Sequence, residues 1–541
     1  MESILSRKIT RVHRRTFLLL PTASALTAML ASCSSSDTEG KGNASSSSPA
    51  TRQGAASPSG ASTPSSTQLH LTDVLDGHTL DVAAGPLIRI DKSTSLLPLH
   101  VERPADDPAA EESIDLAGLW IGGSTTDQYG TRPLRLIDPA GMRLWVTTVS
   151  GDPEPAFVEP GGSADLTATF GGVPQDLDTV VLTLAQSAFV MVSVVDRDQA
   201  AQLLPELDID VALSAASPDP SRADPIALER YTESAAGTVS ALTTDTDVTV
   251  VVSGDVTFDS DSAELSAQAD GILATVVDGV TASPGGGELT ITGHTDDVAD
   301  EAYNQTLSEK RAQAVADRLA SLMDLSAWTV SVAGKGETEP AVEGTTPQAR
   351  AANRRVEIVV SPKTGTSGKD VMAADGGEVP AADGATGTGA DGVVLHDASG
   401  TQTVAFTLDT VTRVGGVLLG ELRYSYTSGA LGGYLTDQSG FGRSARGEQA
   451  GLSTVAAASG VTLLVGETRV FPLDYVSTVA KAHLPVADLN LSNVGREGRA
   501  GTCLVAWPDV ETGAVTVDFP HQGDQGPDDS WRLTDVPVTG V

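Results

Sequence analysis

The stretch that decides the fold of the central part of this chain is NQTLSEKRAQAVADRL, residues 304–319. Its apolar residues recur at the spacing of one buried helix face, so we expect a helix over residues 302–323. The predicted apolar stripe consists of Ala312, Val315, Ala316, Leu319 and Leu322. Asn304, Leu307 and Arg311 are spaced i, i+3 and i+7. These three side chains therefore share one face of the helix.

A strand and a polar loop are predicted immediately upstream of this helix. Residues 288–293 read ELTITG, in which the leucine and the isoleucine are expected to be buried. Residues 293–296 then read Gly-His-Thr-Asp. The carboxylate of Asp296 therefore lies in a loop from which it can approach Arg311 on the helix.

The alternation of strands and helices extends over residues 246–362. Strands are expected at residues 246–253, 288–293, 328–333 and 353–360, and a first helix at residues 266–280. With the helix at residues 302–323, this gives a βαβα-ββ order. The central module is therefore predicted to be an α+β domain.

Two motifs of this module resemble the OmpA-like peptidoglycan-binding family. The run N-x-x-L-S-x-x-R-A-x-x-V-x-x-x-L is complete between Asn304 and Leu319, and residues 353–358 read Asn-Arg-Arg-Val-Glu-Ile. Residues 258–265, FDSDSAEL, are similar to the start of the first helix in that family. In the family, the module binds the free end of diaminopimelate in the stem peptide of peptidoglycan.

The resemblance implies that Asp296 holds the ammonium group of the ligand and that Arg311 holds its carboxylate. Diaminopimelate offers both groups on one carbon, and a guanidinium pairs bidentately with a carboxylate, so one anion and one arginine suit such a ligand. Thr295 and Asn304 are expected to add neutral hydrogen bonds. Leu307 shares the helix face of Asn304 and Arg311 and completes the predicted ligand-binding set.

Three positions leave alternatives open. Arg355, on the final strand, either faces the ligand or has a structural role. The family usually has glycine three positions after the aspartate, and this chain has Ala299 there, so the loop is expected to differ in shape. Lys335 lies between Gly334 and Gly336, and its charge either adjusts the affinity or points to water.

The N-terminus is predicted to be an export signal that ends in a lipidation site. Residues 7–15 are rich in Arg and Lys, and an apolar stretch, too short for a convincing spanning helix, follows at residues 17–30. Leu-Ala-Ser-Cys then resembles a bacterial lipobox, which places a lipid on Cys33. Residues 14–18, Arg-Arg-Thr-Phe-Leu, resemble a twin-arginine signal, with ordinary Sec export as the alternative. The mature chain is expected to be anchored in the cell membrane, facing the wall.

Composition predicts linkers between the folded parts. Residues 34–66 are rich in Ser, Gly and Pro and are expected to form a flexible tether after the signal at residues 1–33. Residues 216–245 are expected to be a connector. Residues 363–392, rich in Gly, Ala and Asp, are expected to be a linker.

The regions on either side of the module are similar to each other. Residues 121–130, IGGSTTDQYG, recur as LGGYLTDQSG at residues 431–440, which is an offset of 310. Short β-rich runs predict a β-sandwich in each region, at residues 67–215 and 393–541, similar to immunoglobulin-like domains of bacterial surface lipoproteins. We interpret the shared Thr-Asp-Gln, which includes Asp127, as a tight turn, with ligand contact as the alternative.

Composition excludes several classes of function. The 541 residues carry a formal net charge of −37, which argues against nucleic acid as a partner. Cys33 and Cys503 are the two cysteines, so no disulfide framework is expected, and Cys503 is predicted to be a small buried residue. No histidine pair has the spacing of metal ligands, and no nucleophile elbow or phosphate-binding loop is present. No cofactor or metal is therefore expected.

These observations predict a multidomain α+β protein with an OmpA-like module between two immunoglobulin-like sandwiches. The expected function is that of a non-catalytic envelope lipoprotein that binds peptidoglycan and tethers the membrane to the wall, with envelope proteins as further partners of the sandwiches. The alternative is a wall-anchored sensor of a solute or carbohydrate, or an enzyme, whose activity lies in the sandwiches; a deep polar pocket there would favour it. A stator-like protein coupled to an ion channel is disfavoured, because residues 17–30 hold no ionisable residue. The sequence does not determine which diamino acid is bound.

Overall fold

The computed structural model describes residues 66–75, 77–108, 113–121, 134–149, 154–258, 262–281, 283, 285–365, 378–396, 403–427, 435, 457–477, 483–489, 498–520 and 530–540. The predicted signal, the lipidation site Cys33 and the tether lie outside the described residues. The two Thr-Asp-Gln segments also lie outside them.

The described part of the first β region is built from eleven strands, of which some bury alternate residues and others are buried along most of their length. They are β1 (Thr67–Val74), β2 (His78–Ala84), β3 (Leu87–Arg89), β4 (Ser95–Glu102), β5 (Ile114–Asp115), β6 (Arg135–Asp138), β7 (Arg143–Val146), β8 (Phe157–Val158), β9 (Ser163–Phe170), β10 (Thr179–Leu184) and β11 (Ala188–Asp196). A π-helical turn spans Ala117–Ile121. In β2, for example, Leu80 and Val82 face the core, while the neighbouring residues 79, 81 and 83 are half-buried.

The strands of the first β region are connected in the order β1-β2-β4-β3-β11-β10-β6-β7, and β9 pairs with β4. Strand β3 runs parallel to β11. Residues from β2, β4 and β9 and residues from β6, β10 and β11 fill one apolar core. Helices α1 (Arg197–Leu203) and α2 (Ile209–Ala216) follow, and with Ile88, Leu96 and Val195 they form a second, smaller cluster.

The connector between the first β region and the module forms strands. A 3-10 turn at Pro220–Arg222 is followed by β12 (Ile226–Ala227), β13 (Arg230–Ser234) and β14 (Val239–Thr243). Strand β12 pairs with β7, and β13 pairs with β14, which in turn pairs with the first strand of the module. The residues predicted to be a plain connector therefore extend two sheets.

In its described part, the central module contains the predicted strands and helices and two more helices, one of them a single turn. Its elements are β15 (Val248–Ser253), α3 (Gly254–Thr257), α4 (Ala269–Thr281), β16 (Gly287–Gly293), α5 (Glu301–Leu322), β17 (Trp328–Gly334), α6 (Pro347–Asn353) and β18 (Arg355–Pro362). The sheet order is β17-β16-β18-β15-β14-β13, with β16 and β17 parallel. Helix α6 follows the N-cap Thr346 and has a proline as its first residue. It lies between the last two strands, and the predicted βαβα-ββ order did not include it.

The core of the module is close to the predicted one. Leu289 and Ile291 are fully buried, and so are most residues of the predicted stripe on α5. Leu322 is the exception: this last residue of α5 is 39% exposed, so its predicted place in the stripe was wrong. The first main helix begins at Ala269 rather than at residue 266.

The second β region has its own set of strands. They are β19 (Ala385–Thr388), β20 (Val393–His396), β21 (Thr403–Thr407), β22 (Val411–Val414), β23 (Val417–Tyr426), β24 (Thr462–Val465), β25 (Thr468–Val470), β26 (Asp474–Val476), β27 (His483–Pro485), β28 (Arg499–Pro508), β29 (Ala514–Phe519) and β30 (Trp531–Gly540). A 3-10 turn lies at Ala458–Gly460. Strand β19, in the predicted linker, pairs in parallel with β30.

The two β regions have the same strand order. The second reads β20-β21-β23-β22-β30-β29-β24-β25, and β28 pairs with β23 as β9 pairs with β4. Even the edge matches, because β12 pairs with β7 and β13 pairs with β25. An arginine on the short parallel strand inserts into a turn in both regions: Arg89 donates to the carbonyl of Pro174, and Arg413 to that of Thr512. The two regions are therefore similar in topology as well as in the segment that recurs at an offset of 310 residues.

The two β regions pack against each other, and each uses a different face for this contact. Ile137, Leu144 and Val181 on the outer face of β6, β7 and β10 contact an apolar surface that includes Leu419 and Tyr475. Across the same interface, the guanidinium of Arg135 donates to the carbonyls of Pro485 (3.0 Å) and Ala487 (2.7 Å). The interface is therefore apolar, with a buried arginine that donates hydrogen bonds across it.

A buried ion cluster joins the connector to the second β region. The ring of His483 lies 3.0 Å from a carboxylate oxygen of Glu229 and 3.5 Å from one of Asp474. The backbones of Glu229 and Asp474 also exchange two hydrogen bonds, at 2.7 and 3.0 Å. Although burial lowers the pKa of His483, its two carboxylate partners outweigh this and raise the pKa to about 10.

Candidate functional site

The site is built where strand β16 ends against helix α5. A Cβ added to Gly293 would collide with the backbone carbonyl of Ser308, so glycine permits the close approach of strand and helix. The Ser308 hydroxyl in turn accepts a hydrogen bond from the Gly336 amide at 2.9 Å. The loop after β16 therefore starts from a fixed position beside the helix.

Asp296 is held by Arg354, a residue to which the sequence analysis assigned no role. Its Oδ2 lies 2.6 Å from Nη1 of Arg354, and its side chain is 14% exposed. The Arg354 guanidinium also makes a forked pair with Asp255, at 2.6 and 2.5 Å. The bonds with Asp255, and then with Asp296, raise the pKa of Arg354 despite partial burial. The Asp296 carboxylate is therefore oriented, and its other oxygen accepts only a 3.3 Å bond from the Val298 amide within the described residues.

Asn304 shapes the loop rather than lying open on the helix face. Its Nδ2 donates to the carbonyls of Asp296 (3.0 Å) and Ala299 (3.3 Å) and to the carboxylate of Glu337 (2.6 Å). Asn304 is 2% exposed. The bonds to Asp296 and Ala299 fix the backbone of the loop from residue 296 to residue 299. Ala299 is the position where the family usually has glycine.

Arg311 is buried in the structure rather than lying open on the helix face. Its Nε donates to the Ser262 carbonyl at 2.9 Å, and its guanidinium lies 5.0 Å from the ring centroid of Phe258. Only 6% of the residue is exposed, because the segment before α4 packs over it. These contacts set the plane of the guanidinium. Leu307, one turn earlier, is half-buried.

Behind Asp296 lies a group of buried polar atoms. Within the described residues, both ring nitrogens of His294, the hydroxyl of Thr295 and Nη1 of Arg355 have no hydrogen-bond partner. Arg355 donates through Nη2 to the carbonyl of Glu339 at 3.3 Å and lies 3.9 Å from the Glu357 carboxylate. Burial, followed by the charge of Arg355, lowers the pKa of His294 to about 4, and burial lowers the pKa of Arg355.

Two further cations of the module are each paired with a nearby carboxylate. Lys335, in the glycine-flanked position, lies 2.7 Å from the carboxylate of Glu339. Arg350 on α6 makes a forked pair with Asp297, next to Asp296. In the described part of the chain, no helix is long and apolar enough to cross a membrane, and His, Cys, Asp and Glu side chains form no metal-binding group.

Comparison with known proteins assigns the module to a family. The OmpA family profile matches residues 257–354. Residues 257–354 are an OmpA family domain. Outer membrane porin F of Pseudomonas aeruginosa is 38% identical over 106 residues, 20% of this chain and 30% of the porin. Peptidoglycan-binding protein ArfA of Mycobacterium tuberculosis is 37% identical over 114 residues, 21% of this chain and 34% of ArfA.

Two further similarities also concern part of the chain. Outer-membrane lipoprotein YfiB of Pseudomonas aeruginosa is 40% identical over 73 residues, 14% of this chain and 43% of YfiB. The solved structure of the cell wall anchor of the T6SS from Pseudomonas aeruginosa is 32% identical and covers 24% of this chain and 90% of that one, with a TM-score of 0.21. The chain spans less than half the length of these three curated relatives, and their whole-protein roles do not extend to it.

Proposed function

We propose that the OmpA family domain binds the stem peptide of peptidoglycan non-covalently, with Asp296 on the ligand ammonium and Arg311 on its carboxylate. The observation that carries this proposal is the Asp296 carboxylate, fixed by Arg354 on one oxygen and weakly occupied on the other. A carboxylate offers about four lone-pair positions, so an ammonium can join without displacing Arg354. The similarity of the domain to ArfA, a peptidoglycan-binding protein, supports the same ligand.

Arg354 and Asn304 act as positioning residues in this proposal. Arg354 aims the carboxylate of Asp296, and Asn304 holds the backbone of the loop that carries it. Arg311 contributes a planar fork whose orientation is set by Phe258 and Ser262, which suits a bidentate carboxylate. Thr295 and Arg355 lie behind the loop, close to the ligand site but buried.

The test is binding of the full chain to purified sacculi and to free diaminopimelate. Each charge-assisted bond contributes about 1.5–3 kcal/mol, so Asp296→Asn and Arg311→Lys should each weaken binding roughly ten- to hundredfold. Arg318→Lys is the matched control, because Arg318 lies on the same helix and pairs with the exposed Asp270. Because Arg311 is buried, thermal unfolding of each variant must show an intact fold. Wild-type binding by both folded site variants would refute the proposed pair.

We also propose that the chain is an envelope lipoprotein tethered through Cys33, that it does no covalent chemistry, and that the β regions are immunoglobulin-like sandwiches. The signal-like N-terminus and the shared strand order of the β regions support these points. Metabolic labelling with a fatty-acid probe should mark the wild type and spare Cys33→Ala. Equal labelling of both proteins would refute the lipid anchor.

A further inference from the structure

The second β region carries a buried charged triad on one sheet face. The Asp518 carboxylate lies between two guanidinium groups, 2.6 Å from Nη1 of Arg469 and 2.7 Å from Nε of Arg532. Asp518 is 4% exposed and Arg532 is 7% exposed. The triad lies on β25, β29 and β30, on the side that faces away from the apolar core of this region.

The corresponding face of the first β region is apolar. There Ile137, Leu144 and Val181 lie on β6, β7 and β10, the strands that correspond in order to β24, β25 and β29, and they are buried against the other region. The fold therefore does not require charges on this face. Replacing a buried Arg–carboxylate–Arg triad by apolar residues is often neutral or stabilising, so stability does not account for this one either.

A cavity of about 150 Å³ lies over the triad. Its wall includes Ala235, which directly follows β13, residues 380–384 and the three charged side chains, together with residues 519, 520, 530 and 531. Arg532 donates through Nη1 to the Pro380 carbonyl at 2.6 Å, which attaches this segment to the sheet. Among the described residues, no protein atom accepts from Nε or Nη2 of Arg469 or from Nη2 of Arg532. The cavity is therefore lined by unused guanidinium donors.

We propose that this cavity binds a small carboxylate or a similar oxyanion. Two arginines around one aspartate leave an excess positive charge at the cavity wall, and planar N–H donors match the oxygens of a carboxylate or phosphate. Asp383 also lines the cavity but is exposed to solvent, so its charge is well screened. A cavity of this volume accommodates a group of about the size of benzene, which excludes large ligands from its interior. The bound group is either a free small acid or the carboxylate terminus of a peptide.

The experiment is titration calorimetry of the full chain, purified in detergent, with acetate, with inorganic phosphate, and with a short peptide in free-acid and amidated forms. Wild type should bind at least one anion in a saturable manner. Arg532→Lys removes a planar fork and should raise the dissociation constant roughly tenfold or more. Ala382→Leu fills the cavity without touching the triad and should abolish binding. Arg143→Lys, at a comparable Asp138 pair in the first β region, is the matched control.

The outcomes separate the sources of the ligand. Binding of acetate or phosphate but of neither peptide form supports a small free anion, and binding of the free-acid peptide but not of the amidated one supports a chain terminus. If Arg532→Lys loses stability, the anion binding of Ala382→Leu alone tests the proposal. The proposal is overturned if wild type shows no saturable anion binding, or if Ala382→Leu binds the anion as wild type does. Neither result affects the peptidoglycan proposal, because the cavity lies in a different domain.

Discussion

Acid should weaken the OmpA family domain through one histidine, His294. Its ring is 2% exposed and both ring nitrogens lack a partner within the described residues. The charged groups nearby are Arg355 on β18, and Glu339 and Lys335 in the loop after β17. Burial and then Arg355 lower the pKa of His294 from 6.5 to about 4. Protonation would therefore place a cation in a buried site beside another cation.

The sign and size of the effect follow from proton linkage. Between pH 6.5 and about pH 4 the unfolded chain binds a proton at His294 and the folded chain does not, so the free energy of unfolding falls as the pH falls through this window. A tenfold change in proton affinity corresponds to about 1.4 kcal/mol, so the full loss at His294 is about 3 kcal/mol. Above pH 6.5 the residue should contribute no pH dependence.

The measurement is hydrogen exchange of peptides from β16 and β18 in wild type and in His294→Leu. Comparison of the two proteins at the same pH cancels the intrinsic exchange rates. His294→Leu should be at least as well protected at pH 7, and its advantage should grow by about 3 kcal/mol towards pH 4. His100→Gln is the control, because Asp165 raises the pKa of His100 and this ring is exposed. Parallel pH profiles of wild type and His294→Leu would refute the reasoning.

Three further results are expected. His483→Gln leaves Glu229 and Asp474 buried without their cation and should lower the free energy of unfolding by about 3 kcal/mol below pH 6.5. This difference from wild type should shrink as the pH rises through about 10. Denaturant unfolding at several pH values measures the difference, and a constant value would contradict the pKa shift. Gly293→Ala forces a Cβ into the backbone of α5 and should lower the urea stability of the domain by about 1–3 kcal/mol, whereas an unchanged midpoint would show that the loop can shift. Cys503 is fully buried and burial raises its pKa, so iodoacetamide should modify it only after unfolding.

The sequence predicted the module well where one local signal was strong. Helix α5 was expected at residues 302–323 and spans Glu301–Leu322, and β16 was expected at 288–293 and spans Gly287–Gly293. Both have clear apolar periodicity, which depends only on residues near in the chain. Strand β13 lacked such a signal, and one of its two partner strands, β25, lies more than two hundred residues away in the chain.

The sequence identified the motif of the candidate site but did not predict the contacts among its side chains. The sequence predicted that Asp296 and Arg311 lie near one another and named Arg355 as a possible additional residue, but it gave no role to Arg354. Adjacent residues at the start of a strand point to opposite sides, so only one of two neighbouring arginines can reach Asp296. The deciding partner, Asp255, lies 99 residues from Arg354 in the chain. Burial of Arg311 under the segment before α4 is likewise a tertiary effect.

The continuous sheet changes how the OmpA family domain is attached to the rest of the protein. A plain connector at residues 216–245 would let the domain turn freely, and an OmpA family domain of this kind would act only as an anchor. Instead β13 pairs with β14 on one edge and with β25 on the other, so backbone hydrogen bonds run from the domain into the second β region. Ala235, at the end of β13, also lines the charged cavity over Asp518. The orientation of the proposed peptidoglycan site relative to that cavity is therefore set by a sheet rather than by a flexible chain.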